Sequence, residues 1–307
     1  MRYFFVWVLI LMTITSSGAA EKRTSGIAIS MCSLDTARTV AIASDIMDKA
    51  KEAGYVVIMR NAEHRLSAQI SDIYQLVEDE PNYLVIIAVK SVGLRKAIQA
   101  AADKGVKVIL VDRLASDARQ EDVLCAIGVD CEWAGGESAK ALAEHFDGRQ
   151  AKILEIQGEA GSSTTNSFAK GFRDTLCDYE NLQIAGVVPG AFSREVAQQG
   201  LLKFCERNDA GFDAVFCHSD EVGLGAVGAL FAIDSQKAIP VVCIGGADDV
   251  KRALAAKRLM ACVEVTPHFS DAVLASIRRD EEGEPVKRLQ LVRGAVSYPS
   301  EPYEQGY

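Results

Sequence analysis

The residues best suited to chemistry stand at the end of one apolar run. Val106 to Val111 reads Val-Lys-Val-Ile-Leu-Val, and Asp112 and Arg113 follow it. Four consecutive apolar residues, Val108 to Val111, three of them β-branched, mark a strand covered on both faces, as in a parallel sheet between helix layers. A carboxylate and a guanidinium beyond such a strand either close it as a salt bridge or stand in the ligand crevice of an open parallel sheet. In a crevice they would accept and donate charge-assisted hydrogen bonds to a polar ligand. Other small or polar groups follow apolar runs in the same way: Cys32-Ser33, Gly158 to Ser163, His218-Ser219-Asp220, Gly245-Gly246 and Thr266. The Gly158 loop lacks the Gly-Lys-Ser/Thr end of a phosphate loop and the spacing of a dinucleotide fingerprint, and a tight turn with a Ser or Thr N-cap explains it. His218, Ser219 and Asp220 are chain neighbours that cannot converge as a catalytic triad, and no G-x-S-x-G elbow occurs. His64, His145 and His268 lack a carboxylate or Cys partner at ligand spacing, and no C-x-x-C occurs, so neither metal nor cofactor is expected.

The elements that must hold these groups alternate along the chain. Gly26 to Met31 reads as a strand, Ala37 to Ala53 as a helix ended by Gly54, and Tyr55 to Met59 as a strand. Leu66 to Val77 is a helix, Tyr83 to Val89 a strand, and a helix capped by Ser91 runs to Gly105 before the central strand. After Val123 to Val129 the alternation restarts with a helix at Glu132 to Phe146 and continues to a last strand at Leu289 to Val292. Regular βα alternation in two runs of about five strands predicts an α/β protein of two doubly wound parallel-sheet lobes. A single eight-fold barrel is excluded because the strands exceed eight.

Composition sets the surroundings. The chain has 307 residues and a formal charge of −9, with no basic cluster, which argues against nucleic acid as a partner. Arg2, then the apolar stretch Tyr3 to Ile14, then small residues up to Ala20, have the form of a signal peptide cleaved near Ala19 or Ala20. The apolar stretch is too short to span a bilayer comfortably. An exported, soluble, periplasmic protein is expected. Export permits disulfides, yet of the eight cysteines only Cys125 and Cys131 suggest a pair, and Cys217, Cys243 and Cys262 fall on predicted strands as small hydrophobes.

Taken together, the signal peptide, the two βα lobes, Val-Asp-Arg at 111–113, Gln-Gly-x-Ala-Gly-Ser at 157–162 and Val-Phe-x-x-Ser-Asp-Glu-x-x-Leu-Gly-Ala at 215–226 resemble the ribose-type periplasmic sugar-binding proteins. The sensor half of the lactose-repressor family is similar, but an export signal stands where a repressor needs its helix-turn-helix. The resemblance covers Gly26 to about Tyr298. It implies a type I binding-protein fold whose chain crosses three times between lobes, near Gly128 to Asp130, Glu264 to Pro267 and Gln290 to Arg293. The implied lobes are 21–128 plus 266–291 and 129–265 plus 292–307, after a signal peptide at 1–20. The resemblance also implies a ligand site. Asp112 and Arg113 match the pair that grips sugar hydroxyls and ring oxygen, and Phe192 matches an aromatic stacked on the ring. Elsewhere the chain departs from the pattern. The polar residue after the first strand is Cys32 and a following Asn is Thr36. Two stacking Phe positions hold Arg38 and Thr39. An Arg of the Gly-rich loop region is Asn166, an Asn before Asp-Glu is Ser219, an Asp at a strand end is Gly245, and a hinge Gln is Thr266.

The function implied is that of a monomeric solute-binding protein that closes on a small carbohydrate-like ligand and presents it to a membrane ABC permease. A sensor kinase or chemoreceptor is the alternative partner, and a secreted α/β enzyme the rival class. Arg38 admits two placements. Beside Arg113 it would favour an acidic or modified polyol over ribose, since guanidinium pairs anions bidentately. Opening its helix toward solvent, it would leave specificity alone.

Overall fold

The computed structural model describes residues 26–207, 211–234, 238–265 and 267–300. The signal peptide and Thr266 lie outside the described residues.

The chain begins with β1 (Gly26–Met31), α1 (Ala37–Glu52), β2 (Val56–Asn61), α2 (Leu66–Glu78), β3 (Tyr83–Ile86), α3 (Arg95–Asp103), β4 (Lys107–Val111) and β5 (Cys125–Val129). It continues with α4 (Cys131–Phe146), β6 (Ala151–Gln157), α5 (Ser163–Leu176), β7 (Leu182–Pro189), α6 (Arg194–Arg207), β8 (Ala214–Cys217), α7 (Asp220–Ile233), β9 (Val241–Gly245), α8 (Asp248–Ala255) and β10 (Ala261–Glu264). It ends with α9 (Ser270–Glu281), β11 (Leu289–Val292) and β12 (Val296–Ser297). Two sheets result, ordered β11-β5-β4-β3-β1-β2 and β12-β10-β9-β8-β6-β7. All pairings are parallel except β12 against β10. The fold is therefore the expected pair of doubly wound α/β lobes. In each, strand order reverses beside the first strand, and ligands of such sheets lie at that switch point, outside the carboxyl ends of the strands.

Burial accounts for the strand sequences. All four residues of β3 and the last four of β4 are buried, because helices cover both faces. One layer of the first lobe joins Ile29, Ile109 and Ile127 to Ile42 and Ile46 of α1 and to Val273 and Ile277 of α9. The other layer packs Leu84, Ile86 and Leu110 against Ile73 of α2 and Ile98 of α3. The second lobe repeats the scheme, with α4 and α5 on one face and α6, α7 and α8 on the other. Because α9 packs on the first sheet, the chain passes between sheets after β5, after β10 and after β11. These connections are cross-tied. Asp130 caps α4 through the Trp133 N–H at 3.1 Å and accepts Arg293 Nε at 2.8 Å on its other oxygen. Glu264 N–H donates to the Ala295 carbonyl at 2.7 Å. A Cβ at Gly294 would sit 1.9 Å from the Glu264 carbonyl oxygen, so only glycine lets these two segments touch.

Several expectations are corrected. The third strand ends at Ile86, not Val89, and Ser91 does not cap α3. Its carbonyl instead accepts the Ser116 N–H and hydroxyl at 2.6 and 2.9 Å, and Leu94 starts the helix without a side-chain bond. Each sheet has six strands rather than five: the expected last strand, β11, joins the first sheet, and β12, a two-residue strand too short to signal itself, joins the second. Cys125 and Cys131 are both free thiols.

Candidate functional site

At the carboxyl end of β4 the backbone leaves the sheet abruptly. Asp112 N–H still donates to the Ile127 carbonyl at 2.9 Å, and its φ of 57° then turns the chain outward. The Asp112 carboxylate accepts Arg38 Nη2 at 2.6 Å, and Nη1 of the same guanidinium donates to the Val265 carbonyl at 3.0 Å. Arg38 therefore does not open its helix toward solvent. It turns inward, pairs with Asp112, and ties α1 to the segment after β10 of the other sheet. The capping box explains how α1 delivers it. Thr36 Oγ1 accepts the Thr39 N–H at 3.2 Å, and Thr39 Oγ1 accepts the Thr36 N–H at 3.3 Å. Thr36 and Thr39 are thus occupied by helix initiation. Arg113 is exposed, and its guanidinium has no hydrogen bond or ion pair among the described residues, while its carbonyl holds the Ala88 N–H at 3.0 Å. Its backbone is fixed and its donors are free.

The matching edge of the second lobe is built on Asp220. Ser219 caps α7 by accepting the Val222 N–H at 3.3 Å. Asp220 Oδ1 accepts the N–H groups of Gly246 and Ala247 at 2.8 and 3.3 Å. A Cβ on Gly245 would stand 2.0 Å from that oxygen, so the glycine at this strand end leaves room for the Asp220 carboxylate. Burial holds the Asp220 carboxyl above its ordinary pKa, against the two backbone donors and the charge of Arg38, which favour ionisation. Arg38 thus acts on carboxylates of both lobes. Asp220 stands among the strand-end groups and in the Ser-Asp-Glu motif of the sequence but is not one of the expected ligand residues, although the Gly245-Gly246 pair marks the space it fills.

Phe192 covers the end of β6. Ala191 and Phe192 both have positive φ, 51° and 52°, and a Cβ at Gly158 would lie 2.1 Å from the Phe192 ring. The ring lies directly on the Gly158 backbone, half-buried, which explains the glycine in this loop. Ser162 caps α5 through the Thr165 N–H at 3.1 Å, as its sequence implies. Asn166 is exposed in the first turn of α5 and is not drawn into the Arg38 cluster. Cys131 starts α4 beside that cluster. Burial, then the charges of Asp112 and Asp130, push its thiol up to about 12, so it lines the region as an inert group.

His218, Ser219 and Asp220 diverge as chain neighbours must. His218 is buried and pairs through Nε2 with Glu155 Oε1 at 3.0 Å, within a network that adds Arg173 to Glu155 at 2.5 Å and Gln157 to Glu155 at 2.9 Å. Burial alone would raise the Glu155 pKa. The bonds from His218 and Gln157 and the charges of His218 and Arg173 outweigh it and hold the carboxyl below its ordinary value.

Residues 27–268 match the family model described as a periplasmic binding protein domain. The chain belongs to this periplasmic binding protein family. Among curated members, the ribose import binding protein of Bacillus subtilis is 29% identical over 256 residues, covering 82% of this chain and 80% of its own length. The galactofuranose-binding protein of Escherichia coli is 21% identical, covering 84% of this chain and 82% of its own. The periplasmic component of the arabinose ABC transporter of Shewanella sp. ANA-3, solved with arabinofuranose, superposes with a TM-score of 0.77 at 22% identity, covering 89% of this chain and 91% of its own. In the binding-protein fold these relatives share, Asp112 and Asp220 stand at the carboxyl ends of strands in the two separate sheets.

Proposed function

We propose that the chain is an exported binding protein whose two lobes close on a monosaccharide or a related neutral polyol and present it to an ABC permease in the membrane. The observation that carries this is the charged set at the strand ends of both sheets. Asp112 and Asp220 offer acceptors, Arg113 offers unpaired donors, and Arg38 links one carboxylate to the segment joining the lobes. Hydroxyl groups both donate and accept, so alternating carboxylates and guanidiniums suit a polyol. The inward turn of Arg38 also changes the expected ligand. Its charge is matched by Asp112, so the second guanidinium that would have favoured an acidic ligand is already paired. Closure needs no chemistry, only tighter binding to the closed state, and no catalytic constellation stands among the described residues to support an enzymatic role. We further propose a monomer with lobes 21–128 plus 266–291 and 129–265 plus 292–307, and removal of residues 1–20 on export.

A panel of pentoses, hexoses, polyols and the corresponding sugar acids, read by thermal shift on the mature protein, tests this. A ligand at a hundred times its Kd adds about 2.7 kcal/mol of stability. The expected result is a rise in Tm with at least one neutral sugar and none with its acid. A response confined to acids, or a flat panel with measurable turnover of a glycoside or ester, would overturn it.

A further inference from the structure

Three cysteines stand side by side where β8, β9 and β10 run next to one another, for Cys217 is in register with Cys243 and Cys243 with Cys262. In a parallel pair, registered residues share a face, here the face covered by α6, α7 and α8. All three thiols are fully buried. Above them lies Asp220. One oxygen of Asp220, Cys243 Sγ and Cys262 Sγ all lie within 4.8 Å of one another. The carboxylate is held in place by the Gly246 and Ala247 N–H groups on Oδ1, while Oδ2 has no hydrogen bond among the described residues. A Cβ at Gly223 would be 2.7 Å from Cys243 Cβ, so α7 approaches β9 closely and the group is tightly framed.

Two thiols facing a carboxylate make poor apolar packing, but they form a donor set of recognised type. Zinc takes thiolate sulfur at about 2.3 Å and carboxylate oxygen at about 2.0–2.2 Å in tetrahedral geometry. Donors around such an ion sit about 3.5–3.8 Å apart, within reach of side chains already no more than 4.8 Å apart. The mixed sulfur and oxygen set suits zinc better than copper(I), which prefers sulfur alone, or magnesium, which prefers oxygen alone. Sequence spacing could not reveal it, because the ligands come from β9, β10 and the first turn of α7.

We propose that Cys243, Cys262 and Asp220 form a zinc-binding site in the second lobe. Binding converts two thiols to thiolates, forms two Zn–S bonds and one Zn–O bond, and passes two protons to solvent. Three protein ligands leave the fourth position to water. Cys217, one strand away, is not a ligand.

The test uses the full mature protein, purified with reductant and chelator and then freed of both. Zinc titration should show one site and release about two protons per ion, because neutral thiols must ionise to bind. Cobalt(II) should give a thiolate-to-metal charge-transfer band that zinc abolishes. Cys243→Ala and Cys262→Ala should each weaken zinc binding by at least about 100-fold, since loss of even an outer-shell partner costs 10–100-fold. Cys217→Ala should leave it unchanged. If an alanine variant fails to fold, proton release and the cobalt band of the wild type still decide. No proton release, a cobalt spectrum without thiolate character, wild-type zinc affinity in both Cys243→Ala and Cys262→Ala, or a Cys243–Cys262 disulfide in the protein as exported would each overturn the proposal.

Discussion

Replacing Gly245 by alanine puts a Cβ 2.0 Å from Asp220 Oδ1, well inside contact distance. Either the carboxylate leaves or the end of β9 shifts. If the carboxylate leaves, it gives up one good bond to Gly246 N–H at 2.8 Å and a weaker one to Ala247 at 3.3 Å. Hydrogen bonds to charged groups contribute about 1.5–3 kcal/mol each, and overpacking a tight site costs about 1–3 kcal/mol. Solvent at this partly exposed carboxylate offsets some of the loss, which leaves a net cost of about 2–4 kcal/mol. At about 2–4 °C per kcal/mol for a chain of this size, Tm should fall by about 4–16 °C. The decisive assay is a double-mutant cycle by denaturation in the presence of chelator. With Asp220→Ala the clash is gone and only the strain of a side chain at φ 158° remains, so Gly245→Ala should then cost about 1–3 kcal/mol less than in the wild type. An equal cost of Gly245→Ala in both backgrounds would refute the view that the glycine exists to admit the carboxylate.

Arg38→Ala should weaken sugar binding about tenfold, the effect of roughly 1.4 kcal/mol, because Asp112 loses the partner that orients it. The same change should lower stability by only about 1 kcal/mol, since the pair is partly exposed; Arg38→Lys should not restore binding, as a single ammonium cannot serve Asp112 and Val265 in one planar fork. Glu155 sets an acid limit on the second lobe. Its pKa is depressed in the fold, so its contribution is complete above the ordinary value of 4.5 and is lost as pH falls through the lowered value. The stability gap between wild type and Glu155→Gln, measured by urea denaturation, should therefore be wide at pH 7 and shrink below about pH 4.5; a gap independent of pH would contradict the ionised pair.

Much of the fold is legible in the chain because buried strands and amphipathic helices write their periods directly. β1, β8, β9 and β11 begin and end where the sequence predicts. What is not legible is set by contacts far apart in sequence. β12 has two residues and exists only because β10 offers an edge. Arg38 could face either way until the Val265 carbonyl, 227 positions later, gives its second nitrogen a partner. Asp220 reads as a loop residue before a helix, and Gly245 as the glycine that ends a strand, until β8 and β9 lie side by side. Thr36 and Ser219, expected at the ligand, also cap α1 and α7, as Thr and Ser at a strand-to-helix boundary readily do.

The proposed binding site requires that Asp112 and Arg113 hold the ligand rather than close a strand. Calorimetry of the best sugar from the panel against wild type, Asp112→Asn and Arg113→Ala measures this directly. Each lost charge-assisted bond is worth about 1.5–3 kcal/mol, so affinity should fall by about 10–100-fold in each variant. Arg113 has no protein partner among the described residues to lose, so the Arg113→Ala protein should melt as the wild type does. Wild-type affinity in both variants, together with markedly earlier melting, would show that the pair serves the fold and not the ligand.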